Sequence, residues 1–192
     1  ANDGGLTWFK VRSASQSHVL IDSTRGLNKT IFSDDTRAAV TQSWSITYNS
    51  NGMTLPAVAV DPSIGIVNAN GYDMVAWSFK KQAKFFDVVT YEGNNETAFM
   101  VDHNLGVTPG MIILKAVDSS SPWFVWHRGL SSASHAVRLN LTNAESSDSN
   151  YEIGLNASDT QIYIDTGSDI NYSDTYVAYL FAHDTASDGL IQ

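Results

Sequence analysis

Apolar residues along this chain recur in short alternating runs. At 44–48, Trp44, Ile46 and Tyr48 alternate with Ser45 and Thr47, the period-two signature of a half-buried strand. The same reading predicts strands over 6–11, 18–22, 30–32, 53–60 and 72–79, then 85–91 and 97–102, and finally 111–117, 123–128, 136–141, 151–155, 161–165 and 175–182. Polar stretches rich in Ser, Asn, Asp and Gly separate them. Asn51-Gly52 is the strongest short hairpin signal, and Gly93, Asn94 and Asn95 tolerate the positive φ of a tight turn joining 85–91 to 97–102. One helical turn is predicted, through Arg37-Ala38-Ala39-Val40, because the oxygens of Ser33, Asp34 and Asp35 can accept the free N–H groups of a first turn. About fourteen strands with turn signals roughly every 8–12 residues predict an all-β fold, a β-sandwich or jelly roll of two antiparallel sheets.

One pattern occurs twice. Gly5-Leu6-Thr7-Trp8-Phe9-Lys10, a Ser-rich turn, Val19-Leu20-Ile21 and the closing Arg25-Gly26-Leu27 are echoed by Gly110-Met111-Ile112-Ile113-Leu114-Lys115, a Ser/Pro-rich turn, Trp123-Phe124-Val125-Trp126 and Arg128-Gly129-Leu130. Further on, Val75-Ala76-Trp77-Ser78-Phe79 is echoed by Val177-Ala178-Tyr179-Leu180-Phe181. A period of about a hundred residues is too long for a solenoid or propeller. The expectation is a single domain over 1–192 built from a duplicated half, with copy one at about 5–80, copy two at about 110–182 and an inserted strand pair at about 85–102.

Composition narrows the partners. The formal net charge is −9, and the one basic cluster, Lys80-Lys81 with Lys84, falls between the copies. Nucleic acid and anionic membranes, which need a Lys/Arg patch, are therefore not expected. No apolar run approaches the ~20 residues of a membrane span. Cysteine is absent, so burial alone must hold the fold.

Candidate chemistry is sparse. Glycoside hydrolysis needs two carboxyl groups across a cleft, yet Glu92, Glu96, Glu145 and Glu152 fall in or beside predicted turns. There is no Gly-x-Ser-x-Gly elbow, and His18, His103, His127, His135 and His183 lack metal-ligand spacing. The reading is non-catalytic and without a cofactor. Calcium would find oxygen donors at Asp61 and between Asp159 and Asp174, but no Ca²⁺-loop motif exists and no metal is assigned.

Carbohydrate binding asks for less: an aromatic platform for a sugar ring and planar polar groups for its hydroxyls. The candidate ligand-binding residues are Trp44, Tyr48, Trp123, Trp126, His127 and Arg128. Trp8 and Trp77, inside the repeated strands, read as core. Trp123 and Trp126 are three positions apart, so on a strand they face opposite ways and cannot share one core; one of them is expected at the surface. Arg25 and Arg128 recur before Gly, either fastening strand ends by hydrogen bonds or clamping a ligand.

The repeated blocks, with Trp123-Phe124-Val125-Trp126-His127-Arg128-Gly129-Leu130 and Tyr176-Val177-Ala178-Tyr179-Leu180-Phe181-Ala182 foremost, resemble a duplicated lectin-like domain of tail-fibre and appendage proteins of tailed bacteriophages, marine ones especially. The resemblance spans about 4–182 and rests on structural motifs. It implies a concanavalin- or laminin-G-type sandwich displayed on the virion surface as a homo-oligomer, with host-surface polysaccharide and other virion proteins as partners. The first copy departs from the pattern, with Thr24 in place of the His before Arg25. A capsid-decorating subunit or fibre spacer with no glycan ligand is the alternative role.

Overall fold

The computed structural model describes residues 4–57, 59–61, 65–96, 99–147, 157–165 and 168–183. In chain order the elements are β1 (Gly5–Val11), β2 (Val19–Asp22), β3 (Lys29–Phe32), β4 (Val40–Thr41), β5 (Thr47–Asn49), β6 (Gly52–Thr54), β7 (Ala59–Asp61), β8 (Gly65–Asn68) and β9 (Met74–Lys80). There follow β10 (Phe86–Glu92), β11 (Phe99–Asp102), β12 (Pro109–Ala116), β13 (Phe124–His127), β14 (His135–Arg138), β15 (Ser146–Ser147), β16 (Gln161–Ile164), the single turn α1 (Ser168–Asn171) and β17 (Thr175–Ala182). All the strand pairings are antiparallel.

Two large sheets carry the fold. The first runs β4-β3-β2-β1-β9 and the second β10-β17-β12-β13-β14-β15. Apart from the added edge strand β10, both have the same plan: a central strand, β1 or β12, lies between the strand that follows it and the strand that closes its half. The registers correspond too, with Trp8 opposite Trp77 in the first sheet and Ile113 opposite Tyr179 in the second.

The sheets pack face to face as a sandwich. Leu6, Leu20 and Ile31 from one meet Phe86, Val88, Ile113, Trp123, Val125, Val177, Tyr179 and Phe181 from the other. Trp123 is fully buried here, stacked on Tyr179 at 6.5 Å. Its indole N–H donates to the carbonyls of Phe32 at 2.8 Å and Asp35 at 3.1 Å, so one side chain joins the two halves. Each outer face is covered as well. Phe9, Val19, Ile21 and Phe32 pack with Ile46 and Val67 under the β5-β6 hairpin, and Ile112, Leu114, Phe124, Ala178 and Leu180 pack with Val101, Ile162, Ile164 and Ile170 from β11, β16 and α1.

The double covering explains why β2 and β17 are buried at nearly every position instead of alternating. It also corrects the expectation for Trp123 and Trp126. They do face opposite ways, but both are buried, one in the central core and one in the outer core.

Other expectations shift for physical reasons. The helical turn at Arg37 to Val40 does not form, because its backbone groups bond to the second half: Ala39 N–H to the Val117 carbonyl at 2.7 Å, and Ser121 N–H to the Thr36 carbonyl at 2.9 Å. Asp35 instead accepts from the Arg37 backbone N–H at 2.9 Å and from its Nε at 2.6 Å. The strand predicted over 53–60 is divided: β6 stops after Thr54, where Pro56 brings no backbone donor, and residues 59 and 60 belong to β7, which pairs with β8. The hairpin turn falls on Ser50 and Asn51, with Asn49 opposite Gly52, one residue earlier than the Asn-Gly signal suggests. The inserted strands do not pair with each other: β10 extends the second sheet beside β17, and β11 pairs with β16. Their connection does use a positive φ, at Asn95. The strand predicted over 151–155 lies outside the described residues.

Two polar groups are buried at the junction between the halves. Asp22 accepts from Arg25 Nε at 2.6 Å and from the Tyr179 hydroxyl at 2.8 Å, so a first-half carboxylate is held by one group from each half. Lys115 is also buried, with Nζ donating to the Ala116 carbonyl at 2.5 Å, and burial pulls its pKa down to about 8.

Both features are testable. Trp123→Ala is expected to cost about 3–5 kcal/mol in chemical unfolding, since it empties the largest site of the central core and strands two carbonyls; a loss under about 1 kcal/mol would contradict that role. Lys115 releases its proton near 8 in the fold and near 10.5 in the unfolded chain, so between those values the unfolded chain binds more protons and stability rises with pH. Urea unfolding from pH 8 to about pH 10 is expected to show a gain of about 1–3 kcal/mol that Lys115→Met lacks; equal slopes in the two proteins would contradict the assignment.

Candidate functional site

The residues singled out in the sequence do not form one site. Trp44 and Tyr48 pack against the outer core of the first sheet. The Tyr48 hydroxyl lies 3.1 Å from Thr7 Oγ1, and burial pushes its pKa up to about 12. Trp123 is in the central core and is no ligand platform. His127 is exposed, with Nδ1 accepting the Gly129 N–H at 3.0 Å. Only Trp126 and Arg128 line a common cleft. Arg25 fastens its strand end, bonding to Asp22 and to the Leu20 carbonyl at 3.3 Å, whereas Arg128 is exposed.

The exposed aromatic platform lies where core packing was expected. Strand alternation and register put Leu6, Trp8 and Lys10 of β1, Leu20 of β2 and Trp77 and Phe79 of β9 on the inner face of the first sheet. Leu6 and Leu20 are covered by the second sheet, but Trp77 is 49% exposed and Trp8 half-buried. On β9, the edge strand here, the covering reaches Phe79, which meets Phe181 at 5.3 Å and Phe86 at 5.6 Å, but stops short of Trp77, so the inter-sheet core continues into an open groove. Trp8 and Trp77 meet edge to face, with centroids 6.3 Å apart and planes at 69°.

This groove has two adjoining parts. One, of about 370 Å³, is walled by Trp8, Lys10, His18, Trp77 and Phe79. The other, of about 450 Å³, shares Trp8 and His18 and is completed by Ser33, Asp34, Asn140 and Thr142, with Leu139 and Leu141. The aromatic wall comes from the first half and the far wall from the segment after β14 in the second. Asp34 Oδ1 accepts the His18 backbone N–H at 2.9 Å, and Asn140 Oδ1 accepts the Trp123 backbone N–H at 3.1 Å, so both polar loops are tied to the sheets. The Lys10 ammonium is held by the Gln16 carbonyl at 2.8 Å.

Such an arrangement suits a ligand with one apolar face and several hydroxyls: rigid indole surface on one side, carboxylate, amide and hydroxyl groups on the other. Among the described residues no cluster of three or more His, Asp or Glu side chains is placed to hold a metal ion. The repeat motif hid this site, because Trp77 and its buried counterpart Tyr179 occupy matching positions. The available signal in the sequence was only the run Ala76-Trp77-Ser78, an indole between two small residues.

Fold and groove together define a β-sandwich with an aromatic-walled surface cleft. The chain belongs to the family described as a domain of unknown function (DUF7483), which matches residues 2–186. No curated protein and no solved structure matches it.

Because Trp77 is half exposed on an edge strand, Trp77→Ala is expected to change unfolding free energy by no more than about 1 kcal/mol. Thermal and urea unfolding check this, and a loss above about 2 kcal/mol would make the residue a core element and not a platform.

Proposed function

We propose that this chain is a non-catalytic, lectin-like module that binds surface glycans through the Trp8–Trp77 groove. The observation that carries the reading is a half-exposed tryptophan, braced by a second one on a rigid sheet and faced by Asp34, Asn140 and Thr142. An open groove of this kind buries only part of a sugar, so each site binds weakly; display in several copies multiplies avidity by about 10²–10⁴. The sequence resemblance to phage tail-fibre and appendage domains supplies the setting, a virion-surface homo-oligomer in contact with host polysaccharide. The second reading, a structural virion protein, is favoured by Leu139 and Leu141, which are 37% and 49% exposed beside the tryptophans and would suit burial against a neighbouring subunit.

Beads densely coated with the full chain are expected to bind members of a panel of bacterial surface polysaccharides saturably, with free glycan competing. Trp77→Ala is expected to lower that binding at least about tenfold, the loss of one stacked aromatic contact and its avidity. Undiminished binding by Trp77→Ala would exclude this groove, and no binding by wild-type beads across the panel would leave the structural role.

A further inference from the structure

The cleft that does unite two sequence-selected residues lies on the outer face of the second sheet. Trp126, opposite Ile112 in the β12–β13 pairing, faces the outer core, and Arg128, two residues on, lies toward the same side. With Val107, Thr108, Pro109, Asp159 and His183 they line a cleft of about 480 Å³ that shares no residue with the tryptophan groove.

Trp126 is 7% exposed, yet its indole Nε1 has no hydrogen-bond partner among the described residues. A buried donor left unpaired costs about 1–3 kcal/mol. Trp123, only three residues away, shows how this fold ordinarily satisfies an indole, with two carbonyls. The charged groups at the rim are also open. Among the described residues no hydrogen bond or ion pair engages the Arg128 guanidinium, while its backbone N–H is fixed to the Gly110 carbonyl at 2.9 Å, anchoring the strand end. Asp159 has one oxygen occupied by the Thr108 hydroxyl at 2.8 Å, which leaves the other as an acceptor. Gly110 admits His183 to the cleft: a Cβ there would lie 2.5 Å from His183 Cβ.

We infer that this cleft is a second ligand site, selective for a carboxylate carried on a hydroxylated ring, as in a uronic-acid saccharide. The planar guanidinium fork of Arg128 matches a carboxylate in a way an ammonium does not. The second oxygen of Asp159 receives ring hydroxyls, and Trp126, Val107 and Pro109 give an apolar wall. A bare anion would leave Asp159 facing it without a donor between them, so the cleft favours a ligand with both charge and hydroxyls.

The test is NMR titration of the full chain with trigalacturonate, its methyl ester and acetate, following the indole N–H signals, of which Trp126→Phe identifies one. Trigalacturonate is expected to shift the Trp126 indole signal saturably, with Arg128→Gln weakening it about tenfold or more, and Trp77→Ala without effect. Arg128 is exposed, so Arg128→Gln keeps the fold. No shift at about 20 mM, an affinity too weak to be a site, would overturn the inference. So would equal shifts from the methyl ester or acetate, or an undiminished response in Arg128→Gln. Because Trp77→Ala leaves this response intact, loss of the groove reading and loss of this one are separate outcomes.

Discussion

Neither large sheet has a face left to water over its middle strands. A sheet buried on one side only can alternate apolar and polar residues, but β2, β12 and β17 are buried almost throughout, and each therefore needs cover on both sides. The central contact supplies one cover, and the β5-β6 hairpin and the β11-β16 pair supply the others. Nearly everything else follows from this. The connections in each half are spent on outer covers, and the inserted strands divide between extending the second sheet and roofing it.

The junction between the sheets is held by more than apolar area. Trp123 reaches backbone carbonyls of the other half, and Asp22 is bonded by Tyr179 across the junction. Such groups are costly to bury and add little net stability when paired, but they bond fully only in one alignment of the sheets. Lys115, buried with backbone carbonyls as its nearest acceptors, lies at the same junction and carries a standing cost at neutral pH. These contacts favour one register between two otherwise similar apolar faces.

The tryptophan groove is a consequence of that fixed alignment. The inner face of the first sheet extends to β9, an edge strand, and the second sheet covers Phe79 there but not Trp77. The core's own aromatic layer thus reaches the surface as Trp8 and Trp77, backed by packed strands on one side and by loops hydrogen-bonded to the sheets on the other. A site made this way needs no ordering of a loop on binding, which favours recognition by a shallow surface.

Period-two alternation and turn chemistry were enough to determine, from the sequence alone, the strand content, the all-β class and the near match of β1, β2 and β9 to β12, β13 and β17, because those signals are local. Cooperation between distant segments was decided by the tertiary structure. Residues 36 and 39 gave their backbone to residues 121 and 117 and not to a helix, and β10 and β11 parted to different neighbours. The candidate sites divide in the same way. Trp126 and Arg128 could be chosen from the sequence because they are close along one strand end, whereas Trp77 could not, since matching positions in the two halves read alike. Whether such a tryptophan is core or platform depends on how far the opposing sheet extends over it, a long-range property that no residue or its neighbours encode.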